Sequence, residues 1–207
     1  MHTIKKLGLA VFAVMLVVFS PVFSRDVWAD QSTSGSLAAS TWSFQPGDWI
    51  QVELSTNTLR FHRWDSSQIS IPFQVGSGLD QDENIYYAGA YYNPRTPAAQ
   101  WMIKENNRQN SFAVFGTLET DENGAPIDEQ PFLRLYRAYE NGQYVRTKYG
   151  VHTTPYFERI VEKRNGYGSF GCILTDYSLL KFIESMYEFQ VANGAEGLRV
   201  VTTRTQP

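Results

Sequence analysis

The sequence predicts a mainly β domain, sandwich-like or barrel-like, with one flanking α-helix. Three observations lead there. Short runs alternate apolar and polar residues along most of the chain. Turn residues separate those runs at close intervals. A single segment near the C-terminal end has the 3.6-residue spacing of an amphipathic helix. No internal repeat and no regular βαβ alternation compete with this reading.

The elements follow in chain order. In DWIQVELSTNTLRFHRW, Trp49, Gln51 and Glu53 interleave with Ile50, Val52 and Leu54, and Leu59 and Phe61 resume the apolar phase after Ser55-Thr56-Asn57. That pattern is a β-hairpin, because alternate side chains of a strand point to opposite faces. ISIPFQVGSG reads as a strand that ends in Gly76-Ser77-Gly78. LDQDEN and TDENGAPIDEQP are acidic and turn-rich, but neither has the ligand spacing and closing Glu of a calcium loop, so both read as solvated loops. FLRLYRAYENGQYVRTKYGVH holds Asn141-Gly142 between two alternating runs, a strong hairpin signal. TDYSLLKFIESMYEFQ places Leu179, Leu180, Ile183, Met186 and Tyr187 on one helical face, with Thr175 or Asp176 as N-cap. LRVVTT is the closing strand.

The first residues have a different character. Lys5 and Lys6 precede an apolar or small run from Leu7 to Phe19, Pro21 breaks it, and Val27-Trp28-Ala29 offers small residues ahead of a cut. This is the pattern of a secretory signal over 1–29, cleaved after Ala29, with an uncleaved anchor as the alternative. The run is shorter than the roughly 20 residues of a spanning helix, so no stable membrane span is expected once it is removed. Residues 30–47 read as a polar linker and 48–204 as the domain. Loss of Lys5, Lys6, Arg25 and Asp26 takes the charges from 18 positive and 21 negative to 15 and 20. An acidic chain without Lys/Arg runs argues against nucleic acid as a partner.

Cys172, in NGYGSFGCILTD, is the only cysteine of 207 residues. It cannot close a bridge within the chain. In an exported protein an odd cysteine is a reactive thiol, half of an intermolecular bridge, or a small buried hydrophobe. Gly166, Gly168 and Gly171 formally match G-x-G-x-x-G, but no apolar strand precedes them and no βαβ unit follows, so no dinucleotide site is expected. His62 and His152 are the histidines beyond the leader. His62 reads as a surface residue of its strand. His152 ends RTKYGVH, twenty positions before Cys172. A thiol attacks a carbonyl as its thiolate, and a histidine in reach can take the proton and later return it to a leaving group. Two histidines and one cysteine far apart form no recognisable metal set.

YGVHTTPYF and GSFGCILTD together resemble the signature of the L,D-transpeptidase (YkuD-type) catalytic domain. That signature has His-Gly-Thr on a strand and, further on, Ser/Thr-His-Gly-Cys followed by an apolar residue and often Arg. His152 and Thr154 match the first part; Ser169, Gly171 and Cys172 match the second. VELSTNTLRFHR, FQVGSG, the Thr96-Pro97 segment and GLRVVTT are similar to further stretches, so the resemblance runs over about residues 48–203. Phe170 replaces the second motif histidine, Leu174 stands where Arg is frequent, Thr153 replaces the glycine after His152, and Gln100 replaces a frequent glycine.

The resemblance implies a YkuD-like fold and an exported cysteine L,D-transpeptidase, in the periplasm or the cell wall, acting on peptidoglycan stem peptides. It implies Cys172 as nucleophile, His152 as acid and base, and Gly171, Ser169 and Thr153 as support for the nucleophile and the oxyanion. It implies no metal or organic cofactor. Arg159, Lys163 and Arg164, between the two motifs, are candidate contacts for a stem-peptide carboxylate or ordinary solvated loop charges. An L,D-carboxypeptidase or other hydrolase on the same fold, and a non-catalytic wall-binding relative, are the alternatives. An activated Cys172 is expected to react below the ordinary thiol range of about 8.5.

Overall fold

The computed structural model describes residues 41–80, 84–87, 90–110, 119–120, 126–127 and 129–205. The expected leader, the linker up to residue 40 and much of both acidic loops lie outside the described residues. Alternation becomes strand where it is expected. β1 (Trp49–Glu53) and β2 (Thr58–His62) form the first hairpin, and β3 (Phe73–Gln74) adds to it. Then come β4 (Ser77–Gly78), β5 (Ile85–Tyr87), β6 (Ala90–Tyr92), β7 (Ala99–Asn110), β8 (Glu119–Thr120) and β9 (Pro126–Ile127). β10 (Glu129–Ala138) and β11 (Tyr144–His152) form the long hairpin. β12 (Tyr167–Ser169), β13 (Ile173–Leu174) and β14 (Leu198–Thr203) complete the strands. Eight of them make one sheet in the order β13-β11-β10-β7-β14-β1-β2-β3. Its two edges are joined just past β3. Gly76 and Leu174 exchange both backbone hydrogen bonds, at 2.7 and 2.8 Å. This bridge gives the mainly β domain its barrel-like closure, and it lies two residues from Cys172.

Among the described residues two complete helices are present where one was expected. The expected one is α2 (Tyr177–Ala192). Its N-cap is Asp176, whose carboxylate accepts from the Leu179 amide at 2.7 Å, a contact of about 1 kcal/mol. Leu179, Leu180, Ile183 and Met186 are buried against Ile50, Val52, Phe61, Trp101, Leu133 and Val200 of the sheet. Each such side chain contributes at most roughly 1.5–3 kcal/mol. Tyr187 packs at the edge of this core and donates to the Lys104 carbonyl. The additional helix is α1 (Phe157–Arg164), in which Ile160 is the buried residue. It ends at Asn165, which takes the left-handed conformation and is held by the Asn57 side chain at 2.7 Å.

Packing begins ahead of residue 48. Trp42 belongs to the core, and its indole donates to Asp48. Arg63 completes a buried ion pair with Asp48 at 2.7 Å. His62 is likewise buried rather than on the surface. Alternation does turn it away from Phe61, but Trp49 covers that face and stacks on the imidazole at 4.2 Å. The Asn141-Gly142 turn forms as expected, with only Gly142 at positive φ. The Gly142 amide bonds to the Tyr139 carbonyl, and the Tyr139 amide to the Gln143 carbonyl. That is the three-residue hairpin with a bulging glycine rather than the two-residue form. Among the described residues no helix is long and apolar enough to cross a membrane.

Candidate functional site

His152 ends β11, and Cys172 lies one residue before β13, the parallel neighbour of that strand. In β11 and β13, Val151 lies opposite Ile173 and His152 opposite Leu174. One position earlier Cys172 aligns with Gly150, whose backbone amide acts to lower the thiol's pKa. Val151 and Ile173 point into the core. By alternation Gly150, His152 and Cys172 belong to the other face. Parallel pairing therefore brings the thiol within one strand spacing of the histidine's strand, despite twenty intervening residues.

The histidine is held in one tautomer. Its Nδ1 lies 2.7 Å from the carbonyl oxygen of Thr153. A carbonyl only accepts, so the neutral ring carries its proton on Nδ1 and its lone pair on Nε2. Thr153 thus serves through its backbone. Phe132 stacks on the imidazole at 5.1 Å. The place for that ring is made by Gly150, where a Cβ would fall 2.3 Å from Phe132.

The segment before Cys172 is braced from several sides. Ser169 donates from its hydroxyl to the Cys172 carbonyl at 2.6 Å. The Thr96 hydroxyl donates to the Gly171 carbonyl at 3.1 Å and accepts from the Gly78 amide at 2.8 Å. Gly171 has a φ of +96°, and a Cβ there would meet the Tyr149 ring at 2.3 Å. Glycine is required twice over, for its dihedral and for the ring beside it. Phe170 is 39 % exposed, next to the thiol segment.

Electrostatics keep the resting pair neutral. Burial pushes the Cys172 thiol up to about 11, against the Gly150 amide and the Arg134 charge, which pull it down. The residue keeps some exposed surface, yet its sulfur is closely surrounded, and the local packing governs its ionisation. Burial drives His152 down to about 4, with the Thr153 carbonyl acting upward and Arg134 downward. Both shifts favour the uncharged forms, thiol and imidazole, and run against the activated thiol expected from the sequence.

Arg159, Lys163 and Arg164 are exposed and lie on α1 rather than on a loop. Lys163 and Arg164 fall in its last turn, where cations complement the helix dipole. Ile160 of the same helix packs over Gly168. Sequence reasoning did not find Arg134, Phe132, Gly150 or Tyr149 for the site. Thr96 was noted as part of a Thr-Pro segment, without a role. Among the described residues no group of three or more His, Cys, Asp and Glu side chains is arranged to hold a metal ion. An open depression of about 430 Å³ lies at the far end of the β10–β11 hairpin, between Gln100, Arg137, Tyr139 and Tyr144, and neither Cys172 nor His152 lines it.

No protein-family model matches the chain, and no curated protein matches it. Among solved structures it is similar to L,D-transpeptidases. With the L,D-transpeptidase from Xylanimonas cellulosilytica it shares 15% identity at a TM-score of 0.45, over 83% of this chain and 69% of that one. With the L,D-transpeptidase from Mycobacterium smegmatis the values are 13%, 0.42, 76% and 58%. With the Ldtfm–avibactam carbamoyl enzyme they are 17%, 0.39, 78% and 51%. The match spans about half the length of this last chain. Activity, substrate and partners therefore have to be argued from the site itself.

Proposed function

We propose that the chain is a cysteine acyltransferase of the L,D-transpeptidase kind, exported and acting on peptidoglycan stem peptides. The observation that carries the reading is the placement of Cys172 one residue before β13, beside the strand that ends in His152, whose Nδ1 proton is held on the Thr153 carbonyl. That arrangement leaves Nε2 as the base, the role a nucleophilic thiol needs filled.

In the acylation step the Cys172 sulfur attacks the carbonyl between the third stem residue and the terminal D-residue. Its proton passes to His152 Nε2, and the backbone N–H groups around Gly171 and Cys172 receive the oxyanion. The C–N bond breaks, His152 returns the proton to the departing amine, and a thioester remains. In the second step the amine of a neighbouring stem attacks the thioester, His152 takes the amine's proton, and the thiol is released, giving a 3→3 crosslink. Water in place of the amine makes the same site a carboxypeptidase. Arg159, Lys163 and Arg164 are the peripheral cations this reading offers to a stem carboxylate. The chemistry draws on no cofactor.

A second reading has an observation of its own. A thiol held at about 11 and an exposed phenylalanine beside it suit a wall-binding relative without turnover. Mass spectrometry of products from tetrapeptide muropeptides, with the wild-type chain and Cys172→Ala, separates the readings. Cys172-dependent crosslinked dimers establish the transpeptidase, and Cys172-dependent tripeptides establish the carboxypeptidase. Identical, product-free spectra from the folded proteins overturn the enzymatic reading.

A further inference from the structure

Arg134 stands in the same cross-strand row as the nucleophile. On β10 it lies opposite Gly150 of β11, and the parallel register of β11 with β13 aligns Cys172 with Gly150 on the other side. Two positions before Arg134 on the same strand is Phe132, the ring that stacks on His152. The guanidinium carbon lies 4.4 Å from the centre of that ring. The row Arg134, Gly150 and Cys172 thus runs beside the row Phe132, His152 and Leu174.

The surroundings of this cation are unusual. Its Nη1 donates to the Lys148 and Thr147 carbonyls at 3.0 and 3.4 Å. Its Nε is buried and has no hydrogen-bond partner among the described residues. Glu105 is its register neighbour on β7, but that carboxylate is engaged by Arg146 and by the Tyr136 hydroxyl. Among the described residues no carboxylate forms an ion pair with Arg134. The pairing of β10 shifts register at Arg134 toward both neighbours, and such bulges re-aim side chains beside active sites. A partly buried cation without a counter-ion favours an anion near it.

We propose that Arg134 is the counter-charge for the Cys172 thiolate, a positioning residue that acts across Gly150 and takes no part in bond making. The inference rests on the reading of Cys172 as nucleophile. Ionisation moves the Sγ proton to His152 or to solvent, and the negative charge left on sulfur faces the guanidinium. Among the described residues the other charged or titratable groups around this row are Tyr136 and Arg137 of β10, Glu105 of β7, and Arg146, Lys148, Tyr149 and His152 of β11. Burial raises Tyr149 and keeps it neutral, and Glu105 is neutralised by its own partners. Glu105 also acts on Arg134, without an ion pair between them, and the pull of Arg134 on Cys172 is downward.

The test uses the full chain and the rate of iodoacetamide alkylation of Cys172 from pH 7 to 10, read by intact-protein mass spectrometry. Arg134→Gln keeps an amide donor for the Lys148 and Thr147 carbonyls and removes the charge; Arg134→Lys keeps the charge. The glutamine variant is expected to react about threefold or more slowly at pH 8, with its profile displaced upward, and the lysine variant to stay within about twofold of wild type. Superimposed profiles for wild type and Arg134→Gln overturn the proposal. So does an equal fall in both variants, which assigns Arg134 to holding the β11 bulge. Circular dichroism checks the fold, and Arg134→Met replaces the glutamine variant if that one unfolds. Failure of both neutral variants to fold makes Arg134 a folding residue and ends the proposal. Muropeptide products are read separately. A charge-dependent profile without product overturns the enzymatic reading alone, and product without charge dependence overturns this inference alone.

Discussion

His152 Nδ1 lies 2.7 Å from the carbonyl oxygen of Thr153, its immediate neighbour in the chain. The orienting group of this histidine is therefore backbone. No acidic side chain is needed to fix the ring, and mutation of the Thr153 side chain leaves the acceptor in place. The cost falls on the charged form of the ring, which has a dipole rather than a carboxylate to face.

Stability is expected to depend on this imidazole below neutral pH. Burial lowers its folded pKa to about 4, against an unfolded value of about 6.5. Protons therefore bind the unfolded chain first. The stability is whole above about pH 6.5 and is lost as pH falls toward 4, by on the order of 3 kcal/mol. His152→Gln keeps a neutral donor for Thr153. Thermal melts from pH 7 to 4 should show wild type losing stability relative to this variant. Parallel losses in the two proteins exclude His152 as the cause.

The thiol titrates at the other end of the scale. Burial raises it to about 11, so the thiolate fraction keeps growing well past neutral pH. Alkylation of wild-type Cys172 should climb about tenfold per pH unit from 7 to 10. A plateau below pH 8 is the result that contradicts a neutral resting pair. The same shift makes folding less favourable as pH rises from about 9 toward 11, since the unfolded thiol ionises first.

Gly171 makes a steric prediction that can be divided in two. Alanine there meets the Tyr149 ring and must also hold a φ of +96°. The dihedral alone costs about 1–2 kcal/mol. Gly171→Ala should lose more than that in urea melts, and Tyr149→Ala in the same chain should recover the steric part while leaving the dihedral part. Simple additivity of the two substitutions rules out the contact as the source of the loss.

What was legible in the sequence had a local cause. The stripe from Leu179 to Met186 and the alternation through Ile50, Val52, Leu59 and Phe61 depend on period alone, and the structure buries all of them. The helix α1 was missed because FERIVEKR buries only Ile160 and Tyr156 provides no side-chain cap. His62 was misplaced because alternation says which way a side chain points, not what covers it. Cys172 and His152 were visible as chemistry, but their approach depends on parallel pairing of β11 with β13. Arg134 left no trace at all. Its surroundings follow from register shifts on both sides of β10, and the extra residues lie in β7 and β11 rather than in FLRLYRAYENG.

The last prediction concerns the brace on the nucleophile's segment. Thr96 is 1 % exposed, and its hydroxyl joins the Gly78 amide to the Gly171 carbonyl. Gly78 is itself so close to the Thr96 segment that a Cβ would fall 2.1 Å from the Pro94 carbonyl oxygen. Valine at position 96 keeps the shape and removes the hydroxyl, leaving a buried donor and a buried acceptor unmatched. Such a loss costs about 1–3 kcal/mol. It also frees Gly171 to rotate, which displaces the sulfur from the Gly150 amide that favours its ionised form. Thr96→Val is therefore expected to lower both the urea midpoint and the alkylation rate of Cys172 at pH 8. Thr96→Ser, which restores the hydroxyl, should recover most of each. A valine variant that loses stability but alkylates at the wild-type rate shows that the brace supports the fold and leaves the thiol's position to its strand.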